Sequence, residues 1–287
     1  MSESDHSQFH LAEIAVQKRL GIDKLVAQNS KGFIRAVMPE QHRRFFSELP
    51  FVIIGLADNH GYPWPIPMFG QAGFIQSPNN TTLHFTKLPS LLQPLALEFF
   101  TGQKIGLLGI QFSTKRRNRV NGVIQTIDDK SFSVQVEQSF GNCPKYIQKK
   151  ELPRENHQIV ERISTAMDDN TIMLIESADT LFISSRTKDF SADKRSGIDT
   201  SHRGGKAGFV KVVNNKLKFP DYKGNGFFNT LGNIESDSRV GLFFSDFLTG
   251  NGVFITGNAR ILWGNRENKG AERIIEVEVK QSVYLSF

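Results

Sequence analysis

The chain has 287 residues, 39% hydrophobic and 22% charged, which is enough for two ordinary domains with a core each. Its formal charge of +6 suits an anionic partner without any nucleic-acid motif, and a single cysteine, Cys143, excludes intrachain disulfides, cysteine-rich zinc sites and iron–sulfur clusters. No stretch approaches the roughly 18 apolar residues of a membrane span, and the polar start MSESDHSQFH lacks a signal pattern, so a cytoplasmic protein is expected.

In chain order, Leu11–Val26 and Pro39–Leu49 read as helices, the second with proline tolerable in its first turn. Phe51–Ala57 is a short apolar strand ending in the turn Asp58–Gly61, and Ser90–Phe100 reads as a short helix lying against strands. Gln135–Glu137 alternates polar and apolar residues as a half-buried strand does. Ile159, Ile163 and Met167 recur at i, i+4 and i+8 and predict a linker helix after Pro153. Thr180–Ser185 and Ile275–Val279 read as strands, Val213–Asn215 as a turn and Asn225–Glu235 as a second short helix.

The chain repeats itself. AGFIQSPNNTTLHF (72–85) matches AGFVKVVNNKLKF (207–219), with one residue gained or lost in an asparagine turn. KIGLLGIQF (104–112) matches RVGLFFSDF (239–247), and Gly106, Phe112, Thr114 and Gly122 all meet their counterparts 135 residues later, at Gly241, Phe247, Thr249 and Gly257. Matches of glycines and aromatics at one offset indicate duplication of a whole domain. The expected fold class is therefore mainly β with flanking helices: two tandem antiparallel barrels. The domains are a helical extension (1–37), a first barrel (38–150), a linker helix (151–170) and a second barrel (171–287).

Several strings resemble the pyridoxamine 5′-phosphate oxidase-related group of FMN-binding split β-barrels: LLGIQFSTKRRNRVNG (107–122), ADTLFISS (178–185), IDTSHRGGKAGFVKV (198–212) and FPDYKGNGFFNTLGNI (219–234). Together with flanking matches they span roughly residues 38–285. The resemblance implies two FMN-binding split barrels with a flavin cleft between barrels, the partner barrel coming from the same chain or from a second one.

A flavin phosphate is a dianion that calls for arginine, amide and hydroxyl donors. Asp199–Lys206 offers these types. If that segment is extended, Asp199, Ser201 and Arg203 share one face and Thr200 and His202 the other, while Gly204 and Gly205 permit close approach of a backbone or a planar ring. The alternative is a surface hairpin with incidental charges. Asn225, Asn229, Thr230 and Asn233 occupy the turn and helix start where related barrels hold the phosphate, though Asn225 would serve equally as a helix cap. Ser184, Ser185 and Arg186 complete the resemblance-based set, with Arg203 and Arg186 as its main cations.

In the first half, Pro67–Gln71 stands where Thr200–Gly205 stands in the second, so the first phosphate subsite is expected to be lost. The basic run Lys115–Arg119, with Arg116 and Arg117 as its named candidates, reads as a hairpin tip that is merely solvated, reaches across the interface to the flavin phosphate, or holds a second phosphorylated ligand. Cys143 reads as a packed small residue, and neither a P-loop, HExxH nor GxGxxG is present.

The implied function is FMN-dependent oxidoreduction, with a nicotinamide or other small-molecule substrate and His202 as the candidate proton-transfer group. The alternatives are a non-catalytic flavin-binding, electron-transfer or redox-sensing module and a haem- or F420-binding barrel. At most one strong FMN site per chain, a homodimer, and no nucleic-acid, membrane or metal partner are expected.

Overall fold

A computed structural model describes residues 8–152, 159–264 and 270–286. Helices α1 (Leu11–Arg19), α2 (Asp23–Asn29) and α3 (Glu40–Ser47) lead into seven strands, β1 (Phe51–Ala57), β2 (Pro63–Phe69), β3 (Ile75–Asn79), β4 (Thr82–Phe85), β5 (Lys104–Gln111), β6 (Arg116–Ile127) and β7 (Phe132–Gly141). After β8 (Ile159–Ser164) and α4 (Asp169–Ser177) come β9 (Thr180–Arg186), β10 (Ile198–Gly204), β11 (Lys211–Val213) and β12 (Lys216–Tyr222). The chain closes with α5 (Asn229–Ser236), β13 (Arg239–Ser245), β14 (Gly252–Leu262) and β15 (Ala271–Ser286).

Two antiparallel sheets share one strand order, β2-β1-β5-β6-β7-β4-β3 and β10-β9-β13-β14-β15-β12-β11, and β8 adds to β15. These are two tandem split β-barrels. Their registers are superimposable: Gly55 lies opposite Pro65 and Gly106, and Ser184 lies opposite Thr200 and Gly241. Gly106 is thus equivalent to Gly241, as the repeat predicts. Each of these glycines abuts a backbone carbonyl of the other barrel, where a Cβ would collide: Gly106 with Ile198 O and Gly241 with Pro63 O. Gly122 and Gly257 likewise sit at matching breaks in register, each tight against the carbonyl of its neighbouring strand.

A pseudo-two-fold axis relates the barrels within the chain. The equivalent rings Phe112 and Phe247 meet each other near it, with centroids 5.2 Å apart. The first core runs on into the second barrel through Phe182, Phe243 and Phe254, all buried. Burying each such ring contributes about 1.5–3 kcal/mol, so the barrels stand as one packed unit.

Several expected elements differ. The first predicted helix is two, α1 and α2, broken at Gly21 with φ +69°. The linker helix is not formed: residues 159–164 are the strand β8, and Ile159 and Ile163 are exposed on it rather than lining a buried stripe. The helix that follows starts only at Asp169, capped by the Asp168 side chain. The beginning of the predicted linker helix, at Pro153, lies outside the described residues. Ser90–Phe100 forms turns, because Pro94 has no N–H to donate and Ala96 is left-handed at φ 50°. The last short helix begins at Asn229, after left-handed Phe228, and Asn225 does not cap it. The register also moves the counterpart of Thr200–Gly205 from Pro67–Gln71 to Pro65–Gly70.

Candidate functional site

Where β6 of the first barrel passes β10 of the second, a cleft opens. Its walls are Arg117 and Arg119 of β6, the segment Asn142–Tyr146 after β7, Ser201–Gly204 of β10, Pro220–Gly226 and the start of α5. Alternation along β10 places Ser201 and Arg203 toward the cleft and α5, while Thr200 turns into the barrel interface, where its hydroxyl donates to Gly106 O at 3.2 Å. The run read as a hairpin tip is in fact the start of β6: the tip ends at Lys115, Arg116 points outward, and Arg117 and Arg119 point inward together.

Asp199 organises the floor. Its Oδ1 accepts from Arg119 Nη2 and from Asn121 Nδ2 (2.7 Å), and its Oδ2 accepts from Asn233 Nδ2 (3.0 Å). The same amide donates to Ser185 Oγ at 3.1 Å, so Asn233 Oδ1 must accept from His10 Nε2 at 2.9 Å. Arg119 also donates to Asn229 Oδ1 at 3.1 Å, and Asn229 donates to Glu13 of α1. Burial pulls Arg119 below the usual arginine range despite Asp199, and pushes Glu13 up to about 8, with the Asp199 charge adding to the rise.

Above that floor the groups are short of partners. Arg117 donates to Cys143 O (3.0 Å), His202 Nδ1 (2.9 Å) and His202 O (3.3 Å), and among the described residues it has no carboxylate. Burial, then Arg203, lowers it to about 10. With Nδ1 accepting from Arg117, His202 carries its proton on Nε2, and burial followed by Arg117 and Arg203 holds the ring neutral, well below the usual histidine range. Arg203 pairs with Asp221 at 2.6 Å, and Asp221 pairs in turn with buried Arg273 at 3.2 Å. Four lining side chains keep a buried N–H without a partner: Arg119 Nε, Asn142 Nδ2, His202 Nε2 and Arg203 Nε. All four are donors. An outer wall is formed by Tyr146 stacked on Tyr222, centroids 5.1 Å apart and planes at 23°.

Of the residues expected from sequence, the cleft gathers Arg117, Ser201, His202, Arg203, Gly204, Asn225, Asn229 and Thr230, with Ser185, Asp199 and Asn233 directly behind. Others lie elsewhere. Ser184 bonds Thr200 inside the barrel interface at 2.9 Å. Arg186 is committed to the carbonyls of Gly61, Thr187 and Lys188 and to Asp237, so it is a structural cation. Arg116 is exposed over the Phe45 ring. Gly205 donates to Asp179 O and lies under Phe209, while the backbone admitted by Gly204 is the chain's own Tyr146 carbonyl rather than a ligand. In sequence Arg119 reads only as part of the basic run, and Asn142, Asp221 and Glu13 are not anticipated. The i, i+2 spacing of Arg117 and Arg119 is the signal that could have singled out Arg119.

No family model matches the chain, and no curated protein matches it. Solved structures do. A protein related to general stress protein 26, of the pyridoxinephosphate oxidase family, from Clostridium acetobutylicum is 10% identical over 42% of this chain and 91% of its own, with a TM-score of 0.28. HupZ from Group A Streptococcus is 11% identical over 39% and 89%, TM-score 0.31, and an FAD-binding protein from Mesorhizobium loti is 10% identical over 44% and 98%, TM-score 0.29. The likeness is to the pyridoxamine 5′-phosphate oxidase and general stress protein 26 group. Each of these matches spans less than half of this chain and most of its own. Among the described residues no helix is long and apolar enough to cross a membrane, and no cluster of His, Cys, Asp and Glu could hold a metal.

Proposed function

We propose that the chain binds FMN in the inter-barrel cleft and uses it as an oxidoreductase. The observation that carries this reading is that four residues lining one cleft each keep a buried N–H without a partner, beside an Arg117 that has no carboxylate among the described residues. A buried donor without an acceptor costs about 1–3 kcal/mol, and a phosphate and a flavin pyrimidine edge are both rich in acceptors. The donor set therefore fits the group. Arg117 and Arg203 would hold the phosphate, with the Ser201 and Thr230 hydroxyls beside them, and Asn142 and His202 Nε2 would donate to further ligand oxygens or nitrogens. Bound flavin supplies hydride and electron transfer. The role His202 supports is donation from a neutral ring rather than shuttling of an imidazolium proton.

The cleft offers about 100 Å³ and is partly open to solvent, so the phosphate and its chain would sit within it and the ring toward the opening. Both walls come from one chain, so one FMN per chain is expected whether the protein is a monomer or a homodimer. Titration with FMN and riboflavin, followed by flavin fluorescence, tests the assignment. FMN should bind about tenfold or more tighter, the value of one or two charge-assisted bonds, at one per chain. Equal affinities would remove the phosphate from the cleft. Anaerobic reduction of the bound flavin by a reduced nicotinamide dinucleotide, which gives up a hydride and is itself oxidised, would establish the oxidoreductase step, and no reduction would leave a flavin-binding module.

A further inference from the structure

Helix α1 lies outside both repeats, yet it is docked against the cleft. It seats on α5 at Gly232, where a Cβ would come within 2.6 Å of Glu13 Cγ and 2.7 Å of Glu13 Cα. Glu13 is the N3 residue of a capping box, its Oε2 accepting from His10 N at 2.8 Å. A capping carboxylate needs only to face solvent, but this one is 3% exposed. Its Oε1 accepts from Asn229 Nδ2, and Asn229 Oδ1 accepts from Arg119. Asn229 and Arg119 both line the cleft, and Glu13 stands directly behind them.

The surroundings of Glu13 leave its charge poorly compensated. The charged or titratable groups facing it are His10 on α1, Asp199 on β10 and Arg119 on β6. His10 is a neutral ring donating from Nε2 to Asn233, and burial lowers it further from protonation. Arg119 commits one arm to Asp199. Both direct donors to Glu13, His10 N and Asn229 Nδ2, are uncharged.

We infer that Glu13 is a positioning residue of the cleft: through Asn229 it orients Arg119, and the anion bound by the cleft is taken up together with a proton on Glu13. This rests on the reading of the cleft as an anion site. An ionised Glu13 sets a negative charge behind Arg119 and opposes a phosphate in front of it, while a protonated Glu13 does not. By linkage, affinity must fall as pH rises through the titration of Glu13, and a bound anion must raise the affinity of Glu13 for its proton. Burial together with Asp199 places that titration near 8, within reach of a binding experiment.

The experiment is calorimetric binding of FMN, and separately of inorganic phosphate, between about pH 7.5 and about pH 9, in buffers of different ionisation enthalpy. Wild-type protein and Glu13→Gln are compared. Wild type should take up a fraction of a proton on binding, and its affinity should fall with pH by up to about tenfold per unit. Glu13→Gln should take up no proton and bind with a flat pH profile. Absence of uptake in the wild type overturns the inference even if Glu13→Gln fails to fold, and Glu13→Ala then stands in as the second variant. Binding of FMN without proton uptake overturns the inference and leaves the flavin reading intact, as does uptake that persists in Glu13→Gln. Phosphate binding with uptake but no FMN binding sustains the inference and removes the flavin. If neither anion binds, both fall.

Discussion

The barrels meet along two equivalent faces with opposite chemistry. On one, Trp64 of β2 packs edge-on against Phe254 of β14, centroids 5.8 Å apart. On the other, the equivalent positions 135 residues away hold Asp199 of β10 and Arg119 of β6, joined as a buried ion pair. Pro67 and Gly252 similarly stand where His202 and Arg117 meet. At these positions the apolar face continues the core, and its charges, Arg186 and Arg239, are held at the Asp58–Gly61 turn. The polar face buries charges whose desolvation can exceed their mutual attraction, and it leaves donors without partners. One fold thus solves the same packing problem twice, and only one solution makes sense as packing alone. The difference is what supports the proposal of ligand recognition on the Arg119–Asp199 side.

Substitutions that remove half of each contact test this most strongly. Asp199→Ala leaves Arg119 without its counter-ion and takes one acceptor each from the amides of Asn121 and Asn233, and should cost about 3–5 kcal/mol in chemical denaturation. Replacing both partners, as Arg119→Met with Asp199→Leu, should recover much of that loss, since a buried pair is readily exchanged for apolar residues. The double variant should nevertheless not bind FMN. If it binds as well as wild type, the polar face is structural after all.

Trp64→Ala should destabilise by a similar or slightly smaller amount, about 3–5 kcal/mol, through the cavity it leaves against Phe254. Its FMN affinity, measured where the protein remains folded, should match wild type. A loss of affinity from this side would mean that the two faces share one ligand rather than dividing the work.

The duplicated frame was readable because glycines record backbone collisions. Gly106, Gly241, Gly122 and Gly257 cannot be replaced where they stand, so both copies keep them in register. The cleft was only half readable. Asp199, Ser201 and Arg203 share a strand face, which the period of two reveals, but the partner of Asp199 is Arg119, 80 residues away in a run that looks solvated. Asn229 meets Glu13 across 216 residues, beyond any local pattern. The spacing of Ile159 and Ile163 misled because β8 leaves those side chains exposed, so their recurrence marks no buried helical face. Ser184 and Arg186 sit in strings that resemble flavin barrels, yet their side chains are used up inside the barrel interface and at the Asp58–Gly61 turn.

Within the polar face the arginines should rank by how little compensates them. Arg117 has no carboxylate partner among the described residues, so Arg117→Ala should weaken FMN binding by about tenfold or more, the loss of a charge-assisted bond. Arg203 is already neutralised by Asp221 at 2.6 Å. Arg203→Ala should therefore weaken binding less, and Asp221 keeps Arg273 as its counter-ion. A reversed ranking in a fluorescence titration would move the phosphate from the β6 wall toward β12.

The smallest effect should come from the residue next door. Arg116 precedes Arg117 on β6, and successive side chains on a strand point to opposite faces. Its guanidinium is exposed and lies 5.1 Å from the centre of the Phe45 ring, outside the cleft. An exposed cation over a ring contributes about 0.5–1 kcal/mol, so Arg116→Ala should lower stability by no more than that. It should leave FMN affinity unchanged, because its charge is screened by solvent before it reaches the cleft. Paired with Arg117→Ala, this variant separates a general pull of positive charge from a built site. Equal losses from both would mean that the basic run acts as a diffuse field around the β6 edge, and the inward face of that strand would then have no special claim on the anion.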